Sequence, residues 1–182
     1  LGPIPPGAND MKREHNVMVA LSKKFSLVPN SILLCEDENI FGAPFHIMEY
    51  KDGITINGDK LPSKYRSIKE ANYLSKMLIE VLVKLHNINP SDVGLENLGK
   101  PLGFLERQLK GWHKRGIMAH DINPSKDMEN LYILLSSASI PKEDEFVILH
   151  NDFKLDNIIL KFSKDKNMLE PEAIIDWDQA TR

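Results

Sequence analysis

The run His150-Asn-Asp152-Phe-Lys154-Leu-Asp156-Asn157 has the form H-x-D-x-x-x-x-N. Its residue types suit the transfer of a phosphoryl group to a hydroxyl. Such a reaction needs a carboxylate beside the acceptor hydroxyl, to orient it and take its proton. It also needs hard oxygen ligands for Mg²⁺, which carboxylates and amide oxygens supply together with phosphate. Asp152 is the candidate for the first task and Asn157 for the second. Lys154 could neutralise charge on the transferring group; a solvated lysine is an equal reading. Further on, Ala173-Ile-Ile-Asp176-Trp-Asp178 sets Asp176 at the end of an apolar run. A strand there would fix Asp176 as a second Mg²⁺ ligand.

The bland readings narrow this set. Taken alone, the eight-residue pattern would arise by chance in about 1% of chains of this length, so its weight comes from the strands expected on both sides. His150 reads as a loop-holding residue bonded to backbone carbonyls, Asp178 as a loop cap, Asp156 as a surface or turn residue. Trp177 reads as packing. His46, His86, His113 and His120 show no metal-ligand spacing, and Cys35 lies in an expected strand. Trp112 and Arg107 fall on a helix whose amphipathic face explains them as well as substrate contact does.

Elements that would carry these residues follow from periodicity. Residues 1–8 are rich in Pro and Gly and read as loop. Asp10 can cap a helix over about 11–24, with Val17, Met18 and Leu21 buried. SILLCE (31–36) and PFHIMEY (44–50) read as an antiparallel hairpin around DENIFG. Ser67 and Glu70 fit a capping box for a helix reaching His86, with Leu74, Leu78, Val81, Leu82 and Leu85 inward. Two further helices are expected near 102–114 and 126–138. The period then changes: FVIL (146–149), NIILKF (157–162) and EAIID (172–176) read as short strands. The class is α+β, with a boundary near 51–66 between a part comprising residues 1–53 and a part comprising residues 54–182.

The 182 residues carry 42% apolar and 27% charged side chains and a net charge of −3. That supports an ordinary core and gives no basic footprint for nucleic acid. No apolar stretch reaches the ~20 residues of a membrane span. The single cysteine fits a reducing compartment. The expectation is a cytoplasmic protein with neither a nucleic-acid nor a membrane partner. The start at Leu1 and the stop at Arg182 read as the ends of a fragment.

HNDFKLDNIIL followed by AIIDWDQATR resembles the aminoglycoside phosphotransferase family. The nearest branch is the kinase-like domain of acyl-CoA dehydrogenase family members ten and eleven, with its stand-alone bacterial relatives. LGPIPPGANDMKREHNVMVAL, LLCEDENIFGAPFHIMEY and VGLENLGK extend the likeness over nearly the whole chain. The resemblance implies a protein-kinase-like bilobal fold, with a truncated N-lobe here and the C-terminal helices missing. It implies ATP and Mg²⁺ as cofactors and a small-molecule hydroxyl as acceptor. Asp152 matches the catalytic base, and Asn157 and Asp176 match the Mg²⁺ ligands. Glu14 matches the helix glutamate that pairs with a basic phosphate clamp, which would lie upstream of Leu1. IMEY matches the hinge: Met48 would back the adenine pocket, while Glu49 and Lys51 would offer backbone carbonyl and amide. The branch points to a hydroxylated metabolite such as a hydroxyacyl-CoA as acceptor. Two other readings stand beside this one, a non-catalytic kinase-fold binding module and a metal-dependent phosphohydrolase.

Overall fold

Asp10 opens the first helix, its carboxylate accepting from the Arg13 amide at 3.0 Å. The computed structural model describes residues 10–58, 61–119, 126–139 and 145–182. Helix α1 spans Met11–Leu21 and buries Glu14, Val17, Met18, Ala20 and Leu21. It is shorter than the periodicity predicts. The chain turns after Leu21, and that turn carries Phe25 and Val28 into the core. The Pro- and Gly-rich opening lies outside the described residues.

Strands β1 (Ser31–Cys35) and β2 (Phe45–Met48) pair antiparallel, with a register shift between Ser31 and Leu33. The expected turn between them holds a single-turn helix, α2 (Glu38–Phe41), that the sequence did not announce. Asp37 caps it through the Asn39 amide, and Gly42 closes it at φ 78°, a left-handed conformation open to glycine.

Helix α3 spans Ile68–His86 behind the expected capping box: Ser67 Oγ accepts from the Glu70 amide, and Glu70 reaches back to the Ser67 amide. Leu74, Met77, Val81 and Leu85 form its buried stripe. Met77 takes the place that the sequence reading gave to Leu78, which is only partly buried.

Strands β3 (Ile158–Ser163) and β4 (Met168–Ile174) form a second antiparallel pair. Pro171 has no N–H for a ladder. It stands opposite Leu160, next to a register shift, and Leu160 turns both backbone groups to Ile54, at 2.7 and 2.8 Å. The proline therefore leaves no partner of Leu160 unmet. The strand expected at 146–149 is reduced to one bridge, Leu149 to Thr181. Its apolar character serves burial instead, with Ile148 fully enclosed.

These elements share one apolar core, running from Val17 and Leu21 through Leu74 and Val81 to Ile158, Leu160, Ile174 and Trp177. They belong to one compact unit, residues up to Leu98 together with Val147–Arg182. The second unit, Gly99–Phe146, is a helix pair, α4 (Phe104–Ala119) and α5 (Lys126–Ser137). There His113 stacks on Tyr132 at 3.8 Å, and Arg115 lies 4.2 Å over the ring of Trp112.

Candidate active site

Asn151 lies at φ 67°, a left-handed turn straight after the Leu149 bridge. That turn swings Asp152 out of the core while His150 stays in it. His150 is 1% exposed, and its two ring nitrogens hold the loop. Nε2 meets the Ile175 carbonyl at 3.0 Å, and the Asp152 amide donates to Nδ1 at 3.3 Å. A carbonyl can only accept and an amide can only donate, so the ring carries its proton on Nε2 and is neutral. Burial pushes its pKa below the ordinary range, which agrees. The loop-holding reading of His150 is what the structure shows.

Asp152, Lys154 and Asn157 meet at one point. Lys154 Nζ lies 2.8 Å from Asp152 Oδ2. Asn157 Nδ2 donates to the same oxygen and to the Asp152 carbonyl, both at 2.9 Å. Lys154 first, and Asn157 after it, hold the Asp152 carboxyl below its usual range. With its side-chain nitrogen engaged on Asp152, Asn157 has its amide oxygen left as an acceptor. A one-turn 3₁₀ helix, Leu155–Asn157, joins the loop to β3 and buries Asn157.

Asp176 departs from the sequence reading in one respect. Strand β4 ends at Ile174, so Asp176 is not a strand residue. It sits in the following turn at φ 69°, a conformation that aspartate tolerates better than most residues and that recurs at functional sites. The turn is fixed from both sides. The Ile175 amide donates to the Asn157 carbonyl at 3.0 Å, and the Trp177 amide donates to Glu14 Oε1 at 3.1 Å. Trp177 is fully buried, its indole N–H on the Ile174 carbonyl at 2.9 Å, so it packs, as expected.

Four acidic residues thus converge. Loss of hydration raises the Asp176 pKa first; the hydrogen-bonded Asp178 carboxyl, then Glu14 and Asp152, add to it. Asp178 is buried. Burial likewise raises Glu14, against the lowering effect of the Trp177 amide. A divalent cation would offset the repulsion between these carboxyls. Among the described residues no group of three or more His, Cys, Asp or Glu side chains forms a metal cage of its own. The donor set, carboxylate plus one amide oxygen, suits an Mg²⁺ whose remaining ligands are phosphate oxygens and water. The residues fit that ion.

The expected hinge residues form a separate cluster. Met48 ends β2 opposite Ser31 and is 38% exposed. The Glu49 amide donates to the Asn30 carbonyl at 2.8 Å. The Glu49 carboxylate accepts from Asn30 and pairs with Lys51 at 2.7 Å. Three residues past Lys51, Ile54 bonds to Leu160 and so ties this segment to β3, the strand that follows the Asp152 loop.

The model of the phosphotransferase enzyme family matches residues 3–182. The chain belongs to that family. It is 33% identical over 180 residues to acyl-CoA dehydrogenase family member 10 of Mus musculus, and 30% identical over 181 residues to family member 11 of Gallus gallus. These matches cover 99% of this chain but only 16% and 22% of the relatives. A solved structure from Ralstonia eutropha JMP134, provisionally described as an aminoglycoside phosphotransferase, superposes with a TM-score of 0.78 at 30% identity. That match takes in 97% of this chain and 51% of the solved one. The phosphotransferase assignment and the kinase-like α+β fold inferred from HNDFKLDNIIL and AIIDWDQATR are therefore borne out. No helix among the described residues is long and apolar enough to cross a membrane.

Sequence reasoning missed the contacts that fix Glu14. His46 Nε2 approaches Glu14 Oε2 at 3.5 Å, and Ser31 Oγ bridges the Nδ1 atoms of His46 and His15 at 3.1 and 2.8 Å. Glu14 and Trp177 lie far apart in the chain, and no local pattern announces their contact.

Proposed function

We propose that the protein transfers the γ-phosphoryl group of ATP, with Mg²⁺, to a hydroxyl of a small molecule. The observation that carries this reading is the joint placement of Asp152, Lys154 and Asn157 beside the Asp176 turn. Asp152 is the group that orients the acceptor hydroxyl and takes its proton. Its lowered pKa makes it a weak base, which suits a loose transition state where the proton leaves late. Lys154 keeps Asp152 ionised and lies where positive charge can offset the phosphoryl oxygens. Asn157 and Asp176 are the side chains that would hold Mg²⁺, with Asp178 behind them. When bound, the ion neutralises phosphate charge and fixes the nucleotide's orientation. Met48 and the backbone at Glu49 and Lys51 would take the adenine.

The acceptor belongs to the same proposal. The likeness to acyl-CoA dehydrogenase family members favours a hydroxylated metabolite such as a hydroxyacyl-CoA over an aminoglycoside. In the full-length protein, Asp152→Ala should cut kcat by about 10²–10⁴-fold and leave nucleotide affinity nearly unchanged. Unchanged turnover would remove Asp152 from the chemistry. Tight nucleotide binding without turnover on any hydroxylated acceptor would favour a non-catalytic binding module. Phosphate release with no acceptor present would favour a phosphohydrolase.

A further inference from the structure

Glu14 is buried in α1, and each of its oxygens has a polar neighbour. Oε1 accepts from the Trp177 amide at 3.1 Å, and Oε2 faces His46 Nε2 at 3.5 Å. Both side chains are 9% exposed, so neither is held by water alone. Burial favours the neutral form of His46. A neutral imidazole has one N–H. On Nδ1 it would turn the Nε2 lone pair onto the carboxylate of Glu14, and two acceptors would face each other. On Nε2 it stands on the Glu14 side, with Nε2 at 3.5 Å from Oε2, longer than a normal hydrogen bond, and the other groups are satisfied. The Ser31 hydroxyl then donates to His46 Nδ1, and its oxygen accepts from His15 Nδ1. The result is a one-directional chain from His15 through Ser31 and His46 to Glu14. Glu14, where it ends, also accepts from the amide of Trp177, the residue between Asp176 and Asp178.

We propose that His46 is a positioning residue for the metal-binding turn. It orients the Glu14 carboxylate so that Glu14 clamps the Trp177 amide, and the clamp sets the two flanking aspartates. The proposal deepens the phosphotransfer reading and rests on it for its consequence in Mg²⁺ use. The clamp itself needs no nucleotide. Strand β2 supplies His46, β1 supplies Ser31 and α1 supplies both Glu14 and His15. The hairpin is thereby coupled to a turn that follows β4.

The test compares full-length wild type with His46→Phe, His46→Gln and His46→Asn. The Gln side-chain nitrogen can stand near Nε2 and donate to Glu14, whereas the Asn amide reaches only the Nδ1 position. Residue-resolved amide exchange at Trp177, without nucleotide, should be about tenfold faster in the Phe and Asn variants and near wild type in Gln. The Mg²⁺ concentration giving half-maximal ATP binding should rise by about 10–100-fold in Phe and Asn and recover in Gln. Equal exchange at Trp177 in all four proteins, or rescue by Asn as good as by Gln, would overturn the proposal. Should Phe fail to fold, the Gln–Asn comparison still decides. Absence of Mg²⁺-dependent ATP binding in wild type would count against the phosphotransfer reading alone, since amide exchange tests the clamp separately.

Discussion

Asp152 owes its chemistry to three neighbours fixed by different means. Lys154 follows two residues on in the same loop, Asn157 is held by a 3₁₀ turn, and His150 anchors the Asp152 amide from below. These contacts favour the ionised carboxylate and fix its direction, which is the preorganisation the proposed base role requires. His150 gives this scale a pH signature. Its folded-state pKa lies below the ordinary 6.5, so the unfolded chain takes up a proton at a pH where the folded chain does not. Stability from the neutral ring is complete above 6.5 and falls as pH drops from there toward the depressed value. Urea unfolding of wild type should show that decline, and His150→Gln, which cannot titrate, should flatten it. An identical pH slope in the two proteins would mean that the ring does not stay neutral in the fold.

At the scale of elements, the site depends on the close approach of Gly53 and Ile54 to β3. A Cβ on Gly53 would stand 2.6 Å from both the Leu160 carbonyl oxygen and Ile159 Cγ2. Only glycine lets Ile54 bond to Leu160 there. Gly53→Ala should cost about 1–3 kcal/mol in chemical denaturation and should weaken catalysis, because β3 starts directly after Asn157. The capping box of α3 is a milder case: Ser67→Ala should lower stability by about 1 kcal/mol without changing nucleotide affinity. Helix α3 was legible because its cap and its stripe of Leu74, Val81 and Leu85 are local. The strand at 146–149 was misread because β-branched composition reports burial as readily as pairing. The position of Asp176 was legible, but its left-handed turn was not. That turn is imposed by Glu14 and Asn157, which are distant in the chain.

The whole molecule unites a kinase-like α+β fold with a carboxylate cluster whose members repel one another. Asp178, Glu14 and Asp152 all push the Asp176 pKa up, and Asp178 does the same to Glu14. Such a cluster invites a divalent cation, which the proposed phosphotransfer would bring with its nucleotide. The chain spans 16% and 22% of the length of the two curated relatives compared, so the test belongs on the full-length protein. The family motif was readable from HNDFKLDNIIL because its residues are contiguous. The His15–Ser31–His46–Glu14 chain was not, because it exists only after α1 packs on the hairpin. The most direct measurement is calorimetric titration of ATP into the full-length protein, with and without Mg²⁺, beside Asp176→Asn. The account predicts binding that requires Mg²⁺ and weakens by about 10–100-fold in the variant. Binding that ignores both Mg²⁺ and the substitution would contradict it.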